Sequence, residues 1–232
     1  MLPVIETPVF ELELPSSGKK LKYRPFLVKE QKSLLIAQES DEKSAVRETL
    51  FSVIDACFFN KVESKYLPDF DVDYMFVKLR AKSIGESVDL VVKCKECGEK
   101  NSYVLKLDDI KAHRVEGHTN KIFLTENIGV TMRYPTFEEV EYLKSNYSVE
   151  VIYQTIVKCI DVIFDHDTVT MGKDVSFNEI SDWLDNLNQN HYDKFENFFN
   201  TQPEIKTNID FVCSSCSASN HLEVVGIEDF FD

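Results

Sequence analysis

The alternation of apolar and polar residues predicts short strands toward both ends of the chain. Residues 10–14 and 21–26 read as strands on either side of residues 15–20, which are rich in turn formers, and this predicts an N-terminal β-hairpin. The same alternation flanks two Cys-x-x-Cys motifs, Cys94-Lys95-Glu96-Cys97 and Cys213-Ser214-Ser215-Cys216. Each motif is therefore predicted to form a hairpin tip, named here the first cysteine turn (residues 94–98) and the second cysteine turn (residues 213–217). A plain hairpin is predicted from residues 121–124 and 130–133.

Helical periodicity of apolar residues fills most of the chain between these strands. Helices are predicted at about residues 28–39 and 42–59, and from Asp71 to a stop at Gly85. Further helices are predicted after the capping-box residues Thr136 and Ser176, after Ser148, and up to Pro203. Two isolated cysteines fall on apolar helical faces and are predicted to be core residues: Cys57 lies beside Ile54, and Cys159 lies in a stripe with Ile152, Ile156, Ile160 and Ile163. No internal repeat beyond the two cysteine hairpins is predicted.

The order of these elements predicts an α+β protein. A discontinuous β-hairpin region, with a zinc-ribbon-like four-cysteine site, brackets a mainly helical domain. The predicted segments are an N-terminal β-hairpin (1–27), a helical segment (28–85), the first knuckle hairpin (86–107), a mainly helical insertion (108–206), and the second knuckle hairpin with an acidic end (207–232).

The four paired cysteines predict a metal site. Zinc accepts four thiolates in a closed tetrahedral shell, and a two-residue spacer allows both sulfurs of one turn to face the same ion. We therefore expect Cys94, Cys97, Cys213 and Cys216 to hold one structural zinc. The two pairs are separated by 115 residues, against about fifteen to twenty in a compact zinc ribbon. A disulfide in each pair, a redox Cys-x-x-Cys and iron in the same cage remain alternatives.

The balance of charge and hydropathy excludes some function classes. The net charge of −14 and pI near 4.8 argue against coating of nucleic acid, which requires a basic face. The first residues predict no secretory signal, and no run of about eighteen apolar residues predicts a membrane span. A reducing cytoplasm is the expected compartment, and it favours metal over disulfides.

Catalytic motifs are weak or missing in the sequence. Asp165-His166-Asp167 is predicted to be an exposed loop, His113 and His118 lie in a polar connection, and His221 would be surplus to a shell already filled by four thiolates. Phosphate loops, nucleophile elbows and His-Glu-x-x-His helices do not occur. We therefore expect that the protein is not an enzyme. A zinc-ribbon regulator that binds transcription machinery and a Cys-x-x-Cys thiol oxidoreductase are the alternative functions.

Two stretches carry a resemblance to a known family. They are residues 17–35, Ser-Gly-Lys-Lys-Leu-Lys-Tyr-Arg-Pro-Phe-Leu-Val-Lys-Glu-Gln-Lys-Ser-Leu-Leu, and residues 133–138, Arg-Tyr-Pro-Thr-Phe-Glu. With the acidic balance, the helical middle and the two cysteine pairs, most of the chain resembles the baseplate hub subunit or hub assembly chaperone family of T4-like contractile-tailed bacteriophages. The resemblance implies a non-enzymatic late protein that helps to build the tail baseplate hub through protein contacts.

The same resemblance implies partners and a location. The partners would be other baseplate hub proteins, with the tape-measure protein as a further candidate, and neither nucleic acid nor membrane is expected. Self-association stays open. The location would be the host cytoplasm during assembly, with the virion tail baseplate as an alternative destination. The N-terminal segment and Phe230-Phe231 are the predicted binding surfaces.

Overall fold

The chain folds into two compact units. The computed structural model describes residues 5–39 and 42–225, so the predicted contact at Phe230-Phe231 lies outside the described residues. The first unit holds the described residues up to His113 and resumes at Glu204, and the second unit is Arg114–Pro203. Helices occur with small antiparallel sheets, so the protein is α+β, as the sequence predicts. Within the described residues, every helix is too short or too polar to cross a membrane.

The elements are numbered in chain order. Those of the first unit are β1 (Phe10–Glu13), β2 (Lys20–Tyr23), α1 (Val28–Gln38), α2 (Lys43–Cys57), α3 (Asp69–Ser83), β3 (Ser87–Lys93), β4 (Lys100–Lys106) and β5 (Lys111–His113). Those of the second unit are β6 (Lys121–Phe123), β7 (Gly129–Met132), α4 (Phe137–Ser145), α5 (Val149–Cys159), β8 (Ile160–Phe164), β9 (Val169–Met171), α6 (Phe177–Asp185) and α7 (Gln189–Asn200). The first unit then resumes with β10 (Glu204–Val212) and β11 (Ser219–Val225).

Antiparallel hairpins form the β-structure of the first unit. Strands β1 and β2, β3 and β4, and β10 and β11 pair as the sequence predicts. Strand β5 was not predicted, and it pairs with the start of β10, where His113 lies opposite Glu204. The chain therefore leaves and re-enters the first unit at facing positions of one sheet.

Helices α2 and α3 supply most of the helical core of the first unit. Ile54, Cys57 and Phe58 at the end of α2 are fully buried, as are Met75 and Leu79 of α3. The burial of Cys57 confirms its prediction as a core residue.

The second unit packs helices on a four-stranded antiparallel sheet of order β6-β7-β8-β9. Its core contains residues of helices α5, α6 and α7 and of strands β6, β7 and β8. The fully buried members include Val130, Cys159 and Phe195. The prediction of Cys159 as a core residue is confirmed. The predicted hairpin at residues 121–133 is confirmed as β6 and β7.

One predicted helix ends earlier than expected. Helix α5 ends at Cys159, and Ile160 and Ile163 belong to strand β8, which pairs with β7 and β9. The stripe from Ile152 to Ile163 fits a helical period, but its last part is also a β-branched run that suits a strand. The predicted exposed loop at residues 165–167 is the tip of the β8–β9 hairpin, where the Asp165 carboxylate accepts the backbone N–H groups of Asp167 and Thr168 at 2.8 Å each.

An arginine links three parts of the chain in the first unit. The backbone N–H of Arg24 donates to the Cys57 carbonyl at the end of α2 at 3.1 Å. Its guanidinium donates to the Glu30 carboxylate at 2.9 Å, and Glu30 accepts the N–H of Leu27 at the start of α1 at 2.7 Å. The hairpin end, the start of α1 and the end of α2 are thereby joined by one buried ion pair.

The second unit contains the same arrangement. The Arg133 N–H donates to the Cys159 carbonyl at 2.8 Å, and its guanidinium binds both oxygens of Glu139 at 2.7 Å. Glu139 in turn accepts the N–H of Thr136 at 2.8 Å. The two units therefore share this local hydrogen-bond arrangement, while the absence of a further sequence repeat stays a prediction. The repeated parts share few residue types, an arginine, a glutamate six residues later and a distant cysteine, so sequence similarity does not reveal them.

This arrangement predicts a large effect for Arg24→Met. Glu30 is 93% shielded from solvent at its side chain, so loss of the guanidinium leaves a buried carboxylate without its main partner. We expect the free energy of unfolding to fall by about 3–5 kcal/mol in urea denaturation. The double variant Arg24→Met/Glu30→Gln should recover much of the loss, because a neutral amide oxygen can still accept the Leu27 N–H.

Lys29→Met is the matched control for this prediction. Lys29 also lies near Glu30, at 3.5 Å, but its side chain is 74% exposed. Its loss should cost no more than about 1 kcal/mol. If Lys29→Met and Arg24→Met lowered the free energy of unfolding by the same amount, the role given to Arg24 would be contradicted.

Candidate metal centre

Each cysteine turn is closed by two backbone hydrogen bonds. In the first, the N–H of Gly98 donates to the Cys94 carbonyl at 3.0 Å, and the N–H of Cys94 donates to the Glu99 carbonyl at 2.9 Å. The second turn makes the matching bonds from Ser217 to Cys213 at 3.0 Å and from Cys213 to Ala218 at 2.9 Å. Gly98 and Ser217 both adopt a positive φ, of 74° and 60°. The two turns therefore share one backbone geometry.

The turns bring four sulfur atoms together. The Sγ atoms of Cys94, Cys97, Cys213 and Cys216 all lie within 4.8 Å of one another. Across the two turns, Cys94 and Cys216 are 3.7 Å apart at sulfur, and Cys97 and Cys213 are 3.6 Å apart. A tetrahedron with metal–sulfur bonds of about 2.3 Å has edges of about 3.8 Å, whereas a disulfide bond measures about 2.05 Å. All four cysteines are free thiols, and their spacing is compatible with a single metal ion.

Burial divides the four cysteines into two kinds. The first cysteine of each motif is buried, with Cys94 3% and Cys213 2% exposed, and the second, Cys97 or Cys216, is exposed. Each turn therefore presents one sulfur toward the protein interior and one toward solvent.

Hydrogen bonds polarise the buried thiols toward the anionic form. The backbone N–H of Cys97 is the largest influence that lowers the pKa of Cys94 to about 6, and the side chain of Asn220 adds to it. The backbone N–H of Cys216 likewise lowers the pKa of Cys213. These groups favour a thiolate at each buried position.

The exposed thiols respond in the opposite direction. The N–H of Glu99 lowers the pKa of Cys97, but its neighbouring sulfurs, Cys216 first, outweigh this and raise it to about 12. The N–H of Ala218 acts to lower the pKa of Cys216, but loss of hydration and the thiols of Cys94 and Cys213 outweigh it, so this pKa is also raised. Four sulfurs this close cannot all be anionic unless a cation compensates their charge. A divalent cation held among them would offset part of that charge.

Two asparagines connect the turns to each other, and sequence reasoning missed them. Asn101 accepts the N–H of Ser214 at 2.8 Å, and its amide nitrogen lies 3.7 Å from the sulfur of Cys213. Asn220 accepts the N–H of Lys95 at 2.8 Å, and its amide nitrogen lies 3.4 Å from the sulfur of Cys94. Each asparagine comes four residues after the second cysteine of its own turn. That shared spacing, Cys-x-x-Cys-x-x-x-Asn, is the signal that could have identified them.

The histidines considered from the sequence lie outside this cluster. The His118 ring stacks on Tyr134 and Phe198 in the second unit, and burial lowers its pKa. His221 pairs with Asp210 at 2.7 Å on the exposed face of the β10–β11 hairpin. In the described part of the chain, neither belongs to a group of potential ligands that could share one ion.

Comparison with known proteins identifies the family. The family model described as T4 bacteriophage base plate protein matches residues 7–232, nearly the whole chain. The chain is thus a bacteriophage structural protein. It belongs to the family of T4 base plate proteins, which places it in the tail baseplate with other phage structural proteins as its partners. Searches of curated proteins and of solved structures found no match.

The left-handed backbone of the first turn predicts the effect of Gly98→Ala. A Cβ at Gly98 would have no atom within 4 Å, so the substitution changes only the backbone energy at φ 74°. We expect a loss of about 1–2 kcal/mol in the free energy of unfolding. Gly85→Ala is the control, because that glycine also has open space and does not require a positive φ. A Gly98→Ala variant as stable as Gly85→Ala would show that the turn does not hold this conformation.

Proposed function

We propose that Cys94, Cys97, Cys213 and Cys216 hold one structural zinc ion, and that the protein serves in assembly of the baseplate hub without catalysing a reaction. The observation that supports the metal is the convergence of four thiols from turns 115 residues apart. Zinc prefers four sulfur ligands in a closed shell, and such a shell has no position left to activate water. The ion would supply the link between two distant parts of the chain.

The surroundings of the sulfurs favour a structural metal over thiol redox chemistry. Redox Cys-x-x-Cys motifs place the reactive cysteine at a helix N-terminus. Here both motifs lie between antiparallel strands, and each thiol has the three others within 4.8 Å. The role as a transcription regulator has no support in the family match.

The hub assignment extends the family membership. It is supported by the resemblance of residues 17–35 and 133–138 to hub subunits and hub assembly chaperones. Exposed apolar side chains on α1, with Val28 81%, Leu35 54% and Ile36 56% exposed, suit a protein that works through protein contacts. The partners would be other hub proteins and the tape-measure protein, met in the host cytoplasm during assembly.

Serine substitutions test the metal. Cys97→Ser or Cys216→Ser should reduce zinc content, measured by native mass spectrometry on protein purified without a histidine tag, and should lower the melting temperature. Structural zinc contributes on the order of 10 kcal/mol to the folding of small domains, so a large loss is expected. Cys57→Ser and Cys159→Ser should keep one zinc per chain even where they destabilise the core. A wild-type protein purified without metal, or zinc retained after loss of a paired cysteine, would overturn the site.

Copurification tests the assembly role. A tagged chain, with a tag that binds no metal, should capture baseplate hub proteins from infected cells because hub assembly requires direct contact. The same chain is then sought in purified virions: its presence there identifies a permanent subunit, and its restriction to infected cells identifies an assembly chaperone. Capture of baseplate proteins from outside the hub, with none from the hub, would contradict the hub assignment.

A further inference from the structure

The two asparagines near the cysteines are related by a crossed pattern. Asn101 of the first hairpin reaches Cys213 of the second, and Asn220 of the second hairpin reaches Cys94 of the first. Both side chains are buried, at 8% and 5% exposed. The sulfur that each one contacts is the buried member of its pair. Each asparagine therefore contacts the buried cysteine of the other hairpin, although the two hairpins lie far apart in sequence.

We infer that Asn101 and Asn220 are positioning residues of the metal centre, each of which holds and shields a sulfur of the opposite turn. The inference rests on the proposed zinc site and specifies how that site is built. Four thiolates around Zn²⁺ leave two excess negative charges, so amide N–H groups directed at sulfur stabilise the loaded centre. Groups just outside the ligand shell that orient and polarise the ligands typically change metal affinity about 10–100-fold.

Each asparagine uses both ends of its amide group. The oxygen accepts the backbone N–H of the residue that follows the opposite turn's first cysteine, Ser214 or Lys95, at 2.8 Å. The nitrogen donates to the sulfur of that cysteine and to a carbonyl of its own turn, Glu99 or Ala218, at 3.0 Å. One side chain thus ties its own turn to the backbone and the ligand of the other.

Aspartate separates these two functions. In Asn101→Asp and Asn220→Asp the retained oxygen can still accept the backbone N–H. The amide nitrogen is replaced by a negative oxygen, which faces the sulfur and the Glu99 or Ala218 carbonyl without a proton to donate to either. The expected result is zinc release to a chromogenic chelator that is about 10–100-fold faster than in the wild type. Asn208→Asp is the matched control, because it adds the same charge on the exposed face of β10.

The crossed contacts predict a site-specific readout that general destabilisation would not give. In zinc-loaded protein treated with N-ethylmaleimide and mapped by mass spectrometry, Asn101→Asp should increase the modification of Cys213 most. Asn220→Asp should increase that of Cys94 most. In the wild type, the exposed thiols Cys97 and Cys216 should react first.

The outcomes separate this inference from the proposed function. A wild-type chain that takes up no zinc overturns both. Zinc uptake by the wild type, combined with release rates in the aspartate variants equal to that of Asn208→Asp, overturns the asparagine role alone, as does an equal rise in modification at all four cysteines. If an aspartate variant fails to fold, judged by circular dichroism, the alanine variants, which add no charge, are scored by the same crossed pattern.

Discussion

The joining of residues 94–97 to residues 213–216 is the constraint on which the rest of the first unit depends. Closing a loop of about 100 residues costs on the order of 4–5 kcal/mol in chain entropy. The pairing of β5 with β10 offsets part of this cost, because it already brings the two ends of the second unit together. His113, just before that unit, lies opposite Glu204, just after it. The second unit is therefore inserted between two paired strands, β5 and β10. The four sulfurs bring together the tip of the β3–β4 hairpin, which precedes the second unit, and the tip of the β10–β11 hairpin, which follows it.

Two arginine–glutamate pairs, one buried (Arg24–Glu30) and one partly exposed (Arg133–Glu139), perform a similar joining function within each unit. In both, an arginine that follows a hairpin contacts the carbonyl at the end of the second of two helices and a glutamate in the first turn of the first helix. A buried ion pair is not by itself a large source of stability, but separation of its partners would leave a costly unpaired charge. Each arginine therefore links the end of a hairpin to the two helices that follow it.

Local sequence patterns predicted what depends on local structure. The hairpins around the cysteines, the capping boxes at Thr136 and Ser176, and the burial of Cys57 and Cys159 follow from periodicity and turn chemistry. Strand β5, with three residues, has no periodicity to detect and exists because β10 pairs with it. The boundary at Cys159 was missed because an isoleucine-rich run satisfies both periods. The asparagine contacts are set by the meeting of two distant hairpins, which no local pattern contains.

The turn of the N-terminal hairpin has the same backbone geometry as the two cysteine turns. Its turn makes the same two bonds, from Leu14 to the Lys19 carbonyl at 2.9 Å and from Gly18 to the Leu14 carbonyl at 2.8 Å, and Gly18 has a φ of 68°. Leu14, 3% exposed, occupies the place that the buried cysteines Cys94 and Cys213 occupy in the other two turns. A turn of this shape therefore forms with an apolar side chain and no sulfur. The turn shape therefore does not require a metal, and the proposed zinc would contribute to folding through the association of the two turns.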